Sequence, residues 1–226
     1  MSFGLSFRNN SDVVVLDSEY ARLCVIASGR YAPTEEGGLG STTWFPRPVT
    51  SSEPPLVFAR PDTVGAIAAL SQMRLIGGPG DWRGFYVRTT SNNTAQPNGR
   101  YFVAAFAAQP VARYGMRLFG SAGQLLFDSG TPSAVFTRSF QNWEYSHTER
   151  TPTSANRNYY SVPFNFVENE YLLINSFGMR LLSGDNVGRE VSSWWDFPAK
   201  RMWAITESFS NPYDFHLPAV FARMHH

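Results

Sequence analysis

The sequence predicts a mainly β protein made of two similar antiparallel β-sandwich, jelly-roll-like domains, residues 1–109 and 110–226, related by internal duplication. Three observations carry this expectation. The opening stretch FGLSFRNNSDVVVLDS (Phe3–Ser18) returns in physical outline as YGMRLFGSAGQLLFDS (Tyr114–Ser129): an aromatic residue and Gly, an alternating strand, a polar turn, an apolar run, then Asp-Ser. Aromatic residues make up 15% of the chain and charged residues only 16%, a balance suited to sheets and to surfaces covered by neighbours. Short β-rich runs separated by Gly, Pro, Asn and Ser clusters fill the chain, about seven or eight per half.

Taken in order, Leu5 and Phe7 alternate with Ser6 and Arg8, Asn9 to Asp12 supplies turn residues, and Val13 to Leu16 runs apolar, which together read as a hairpin. Arg22 to Ala27 predicts a strand, and the Pro/Glu/Gly stretch from Tyr31 to Ser41 an exposed loop that Trp44-Phe45-Pro46 and Pro48 end. Pro55 to Pro61 predicts a proline-bounded strand. Asp62 to Gln72 (DTVGAIAALSQ) is the best helix candidate, Ala-rich with Asp62 as cap. Met73 to Ile76, Trp82 to Thr90 and Tyr101 to Ala107 return to strand character, with GGPGD as the turn after the first of them. The second half repeats this order: Tyr171 to Ile174 corresponds to Leu56 to Phe58, Met179 to Leu182 to Met73 to Ile76, and Arg201 to Thr206 to the Trp82 strand. Ala219, Phe221 and Ala222 correspond to Ala104, Phe106 and Ala107. The five residues from Gln109 to Arg113 are too short a linker for independent tumbling, so the halves are expected to pack together.

Composition excludes several functions. Nineteen Lys and Arg stand against eighteen Asp and Glu, with no basic run, which argues against nucleic acid as a partner. Cys24 is the single cysteine, so neither an internal disulfide nor a cysteine metal cluster is expected, and a reducing cytoplasm suits the chain. The start MSFGLSFRNN lacks the pattern of a secretory signal, and no run is long and apolar enough to predict membrane insertion. The four histidines show no ligand spacing, there is no Gly-x-Ser-x-Gly elbow, and GGPGDW lacks the Lys-Ser/Thr of a phosphate loop. Neither Glu35-Glu36 nor Glu168 with Glu170 establishes an opposed acid and base. Asp17 and Asp128 read as turn residues whose side chains accept backbone N–H groups. No catalytic residue, metal or cofactor is therefore expected. The candidate ligand or partner contacts are Trp143, Tyr145, Trp194, Trp195 and Asp196, because exposed aromatic faces stack on sugars or anchor protein interfaces while carboxylates bind hydroxyls. Adjacent Trp194 and Trp195 in a strand point to opposite faces, so at least one is expected inside.

The opening FGLSFRNNSDVVVLDS and its return resemble the start of small tail proteins of double-stranded DNA bacteriophages, over Met1 to Ser18 and more loosely at LVFARP (Leu56–Pro61) and AVFAR (Ala219–Arg223). The apparent duplication departs from that pattern. The resemblance implies a non-enzymatic structural part of the virion at the distal tail, in the baseplate, tail tip or fibre attachment region, assembled in the host bacterial cytoplasm. Its implied partners are other tail or baseplate proteins and further copies of itself as a homo-oligomer. Two alternatives stand beside it: a receptor- or carbohydrate-binding adhesin module contacting a host surface glycan, and a capsid decoration protein.

Overall fold

The computed structural model describes residues 6–8, 10, 14–17, 22–89, 94–152, 154–178, 180–182, 188–209 and 214–225. These form an all-β structure with two large antiparallel sheets and, among the described residues, no helix. The first half holds β1 (Ser6–Arg8), β2 (Val14–Asp17), β3 (Cys24–Tyr31), β4 (Gly40–Val49), β5 (Leu56–Pro61), β6 (Ile67–Gly78), β7 (Asp81–Arg88) and β8 (Gly99–Ala105). The second holds β9 (Arg117–Phe119), β10 (Leu125–Asp128), β11 (Ser133–Phe140), β12 (Glu144–Arg150), β13 (Asn156–Pro163), β14 (Tyr171–Leu173), β15 (Arg180–Leu182), β16 (Gly188–Asp196), β17 (Arg201–Ser208) and β18 (Ala219–His225).

One sheet closes on itself in the order β11-β18-β14-β5-β8-β3. Closure is made at the pair Ser133 and Cys24, where Val25 N–H donates to the Pro132 carbonyl (2.8 Å) and Ala134 N–H to the Leu23 carbonyl (3.0 Å). The other sheet runs β12-β13-β17-β16-β6-β7-β4, with β15 paired to β16. Both orders read alike from their centres. In the barrel β5 meets β14, flanked by β8 and β3 on one side and β18 and β11 on the other; in the large sheet β6 meets β16, flanked by β7 and β4 and by β17 and β13.

The central barrel strands β5 and β8 are buried on both faces, which explains their continuous apolar runs. Val57, Ala59, Tyr101, Val103, Leu172 and Phe221 face the large sheet and meet Leu70, Phe85, Tyr160, Trp195 and Met202 in one core shared by both halves. The alternate residues Phe58, Phe102, Ala104, Tyr171 and Ala222, with Leu23 and Val25, fill the barrel interior. There Phe58 and Phe102 stack with ring centroids 4.6 Å apart, and Tyr171 stands edge-on to Phe102 at 5.1 Å.

Two expectations are corrected. The Ala-rich segment is no helix: residues 62–66 connect β5 to β6, and Ala68, Ala69 and Leu70 lie in β6. Ala68 and Ala69 pair with Trp195 and Trp194 across the sheet centre, and small residues there make room for two indoles. A helix would bury one stripe only, whereas Ala68, Ala69 and Leu70 are all fully buried. Phe45-Pro46-Arg47-Pro48 does not end a loop but lies inside β4, where the register to β7 breaks between Trp44 and Val49. That strand has a single neighbour in the sheet, so missing proline N–H groups interrupt no inner ladder. Phe106 lies beyond the end of β8, whereas Phe221 and Ala222 lie within β18. β16 stands across the sheet centre from β6, and β15 pairs with β16; Met179 is outside the described residues.

Candidate functional site

Two short hairpins stand apart from both large sheets: β1 with β2, and β9 with β10. Their registers agree pair for pair. Ser6–Asp17, Phe7–Leu16 and Arg8–Val14 recur 111 positions later as Arg117–Asp128, Leu118–Phe127 and Phe119–Leu125, with a register shift at the same place. Within the second hairpin Asp128 behaves as the sequence predicts. It is 1% exposed, and its Oδ1 accepts N–H groups from Gly130 (2.9 Å) and Ala112 (3.1 Å) while Oδ2 accepts Arg117 Nε–H (2.7 Å). Burial alone would raise its pKa; the Arg117 and backbone donors outweigh that and hold it below the ordinary carboxylate value. Ser129 Oγ accepts the Met116 N–H at 3.1 Å. The Asp-Ser pair is thus a latch binding hairpin to linker, and Asp17-Ser18 has its Ser outside the described residues.

What this latch presents is apolar. Tyr114 is 94% exposed and Phe119 58%, with Met116, Phe106 and Val111 also exposed along the same linker and hairpin. Next to the linker runs a groove of about 1000 Å³ whose walls include Ile26, Phe45, Pro48, Pro55, Ala105 and Pro110. Exposed apolar side chains grouped along one segment are frequent at protein contacts.

A second surface lies on the outer face of the large sheet. Trp194 pairs with Trp203, and Tyr159 with His147 on one side and Ile205 on the other. The His147 and Tyr159 rings stack at 4.3 Å, and Tyr159 stands edge-on to Trp194 (5.7 Å) and Trp203 (6.3 Å). Both indole N–H groups are buried, and among the described residues neither has a hydrogen-bond partner. Charged groups rim the patch: Tyr159 donates to Glu149 Oε2 (2.8 Å), Arg157 pairs with Glu207 (3.2 Å), and Arg201 lies near the Trp203 ring. Burial first, then the hydrogen bond to Glu149, push the Tyr159 pKa up to about 12, so the phenol remains a donor through the neutral range.

The five residues predicted as contacts are thereby sorted. Trp194 is on the outer face. Trp195 is in the core, as alternation requires, and so is Trp143, whose Nε1–H donates to the Leu217 carbonyl at 2.8 Å. Tyr145 packs edge-on to Tyr160 against that core. Asp196 is buried at the end of β16, accepting the Ala199 N–H at 3.0 Å in the turn to β17. Trp203 and His147 complete the patch without having been singled out; the alternation of Trp203 with buried Met202 and Ala204 in RMWAIT marks it as outward-facing.

The carboxylates of the β3–β4 turn are held in place: Glu35 accepts Thr42 N–H and Oγ1–H, and Glu36 accepts Tyr86 Oη–H (2.5 Å) and Arg88 Nε–H (2.8 Å). Gly37 and Gly38 sit there at φ of 71° and 90°, the left-handed region this tight turn needs. Glu170 is buried and paired with Arg138, whereas Glu168 is exposed beside Arg100. Among the described residues no group of three His, Cys, Asp or Glu side chains is arranged to hold a metal, and no helix is long and apolar enough to cross a membrane. No protein-family model, curated protein or solved structure matches this chain.

Proposed function

We propose that this chain is a structural component of a tailed-phage virion, at the distal tail, acting through protein–protein assembly and without catalysis. The observation that carries the reading is the latched β9–β10 hairpin, outside both sheets, offering Tyr114, Met116 and Phe119 to solvent. Surface of that composition is stable in water when a neighbour covers it, and under this reading the neighbour is a second copy of the chain in a homo-oligomer. The opening motif resembling small phage tail proteins lies in the hairpin of matching register, β1–β2, so resemblance and geometry point to the same type of element. We read the matched hairpins and mirrored strand orders as an internal duplication of two jelly-roll-like β-sandwich halves, 1–109 and 110–226, whose sheets fuse edge to edge at β5–β14 and β6–β16. Labelling of the chain on intact virions tests the assignment: signal at the distal tail supports it, and signal on the head instead assigns a decoration protein.

A second reading is favoured by a separate observation. The Trp194, Trp203, Tyr159 and His147 cluster, part-exposed on the outer face and rimmed by Glu149, Arg157 and Glu207, has the aromatic-plus-charge composition of a glycan-contacting surface. Under it the chain is an adhesin module. A glycan array with purified protein separates the two: binding lost in Trp203→Ala supports the adhesin, and silence leaves assembly alone.

A further inference from the structure

Three arginines from neighbouring barrel strands lie side by side. Arg30 of β3 pairs with Arg100 of β8, and Arg100 pairs with Arg60 of β5. Each stands within one residue of its strand's end, and each lies two residues along from a position facing the interior or paired with one: Phe58, Phe102, and Ser28, which pairs with Phe102. The row therefore rims one mouth of the barrel, above the stacked Phe58 and Phe102.

Like charges facing each other across strands destabilise a sheet unless something answers them. Asp62 pairs with Arg30, and Glu168, itself 82% exposed, reaches Arg100 at only 3.9 Å. Arg60 is 4% exposed, yet its guanidinium meets only the Val167 carbonyl (2.7 Å) and the Thr63 hydroxyl (3.2 Å). Among the described residues no carboxylate lies within the 4.0 Å ion-pair distance of it. Burial, then the neighbouring Arg100 charge, hold its pKa below the ordinary arginine value. Glu168 and Glu170 act on Arg60 only from beyond ion-pair distance, so among the described residues the deepest of the three arginines is the one without a direct carboxylate partner. A buried cation without a counter-charge is costly, and planar guanidinium forks select planar carboxylates.

We propose that this mouth binds the carboxylate of an acidic sugar, a uronic acid unit, between Arg100, Arg30 and the edge of Arg60. Arg60 is buried whereas the Arg30 and Arg100 side chains are 55% and 34% exposed, so an incoming carboxylate meets those two first. The exposed Ser28, on the same face as Arg30, and the Thr63 hydroxyl beside Arg60 supply hydroxyl partners that a sugar acid uses and a bare anion does not. The site is separate from the hairpin and the aromatic patch and holds whether or not the chain belongs to a tail.

The test is calorimetric titration of the full chain at low ionic strength with trigalacturonate, the neutral galactose trimer and poly-L-glutamate as probes. Saturable trigalacturonate binding is expected, at least tenfold weaker in Arg100→Gln, severalfold tighter in Asp62→Asn because Arg30 is released, and weakened by salt. Asp62 is at the surface, so that variant remains informative if Arg100→Gln folds poorly. The proposal is overturned by no binding in the wild type, by equal binding of the neutral trimer, by indifference to both substitutions, or by poly-L-glutamate binding where trigalacturonate does not, which would make the row a protein-docking site.

Discussion

Replacing Tyr114 and Phe119 together by Ser should dissolve self-association while sparing the fold. Tyr114 is 94% exposed and Phe119 58%, so with about 200 Å² per side chain they leave on the order of 300 Å² in water. At roughly 25 cal/mol per Å² complete coverage would contribute about 7 kcal/mol, a ceiling. Ordering costs at interfaces and typical truncation losses of about 2 kcal/mol per anchoring aromatic lower this to about 4 kcal/mol for the pair. That corresponds to a weakening of roughly a thousandfold in the association constant. Sedimentation velocity over a concentration series reads the oligomer, and a thermal melt at a dilution where both proteins are monomeric reads the fold. The double variant should be monomeric at concentrations where the wild type associates, with its monomer Tm within about 2 °C, because neither side chain belongs to either core. An unchanged association constant would refute the reasoning, as would a large fall in monomer Tm, which would give these side chains a role in holding the hairpin.

Other outcomes follow from the same structure. Phe58→Ala, which empties the centre of the barrel opposite Phe102, should cost about 3–5 kcal/mol in chemical denaturation, and a loss below 1 kcal/mol would contradict the packed interior. Asp128 has a lowered folded-state pKa, so its contribution is present above the unfolded carboxylate value and is lost as pH falls through the folded one; Asp128→Asn should be less stable at neutral pH and show a flatter acid limb, a result read by melts between pH 2 and pH 7. Tyr159 and Tyr160 are both pushed up to about 12, chiefly by burial. The fold keeps their contribution below the unfolded value near pH 10 and loses it between there and about 12, so alkaline melts should fall across that window and less steeply in Tyr159→Phe.

The sheet character was legible because period-two alternation and turn chemistry are local. The Asp-Ser latch was legible too, since an Asp closing a strand accepts the N–H groups around it whatever the fold. The strand at Ile67 was hidden because its alanines answer Trp194 and Trp195, more than a hundred residues away, and no local pattern carries that pairing. Trp143 and Asp196 show the converse. An indole and a carboxylate in polar surroundings look available, and only the tertiary structure supplies the Leu217 carbonyl and the Ala199 N–H that engage them. The arginine row was invisible for the same reason, as Arg30, Arg60 and Arg100 meet only through strand register.

Density for this chain within the intact virion tests the central claim most directly. The account predicts copies of the chain at the distal tail, with Tyr114 and Phe119 of each buried against a neighbouring subunit. Density on the head, absence from the particle, or copies at the tail whose β9–β10 hairpins face solvent would contradict it.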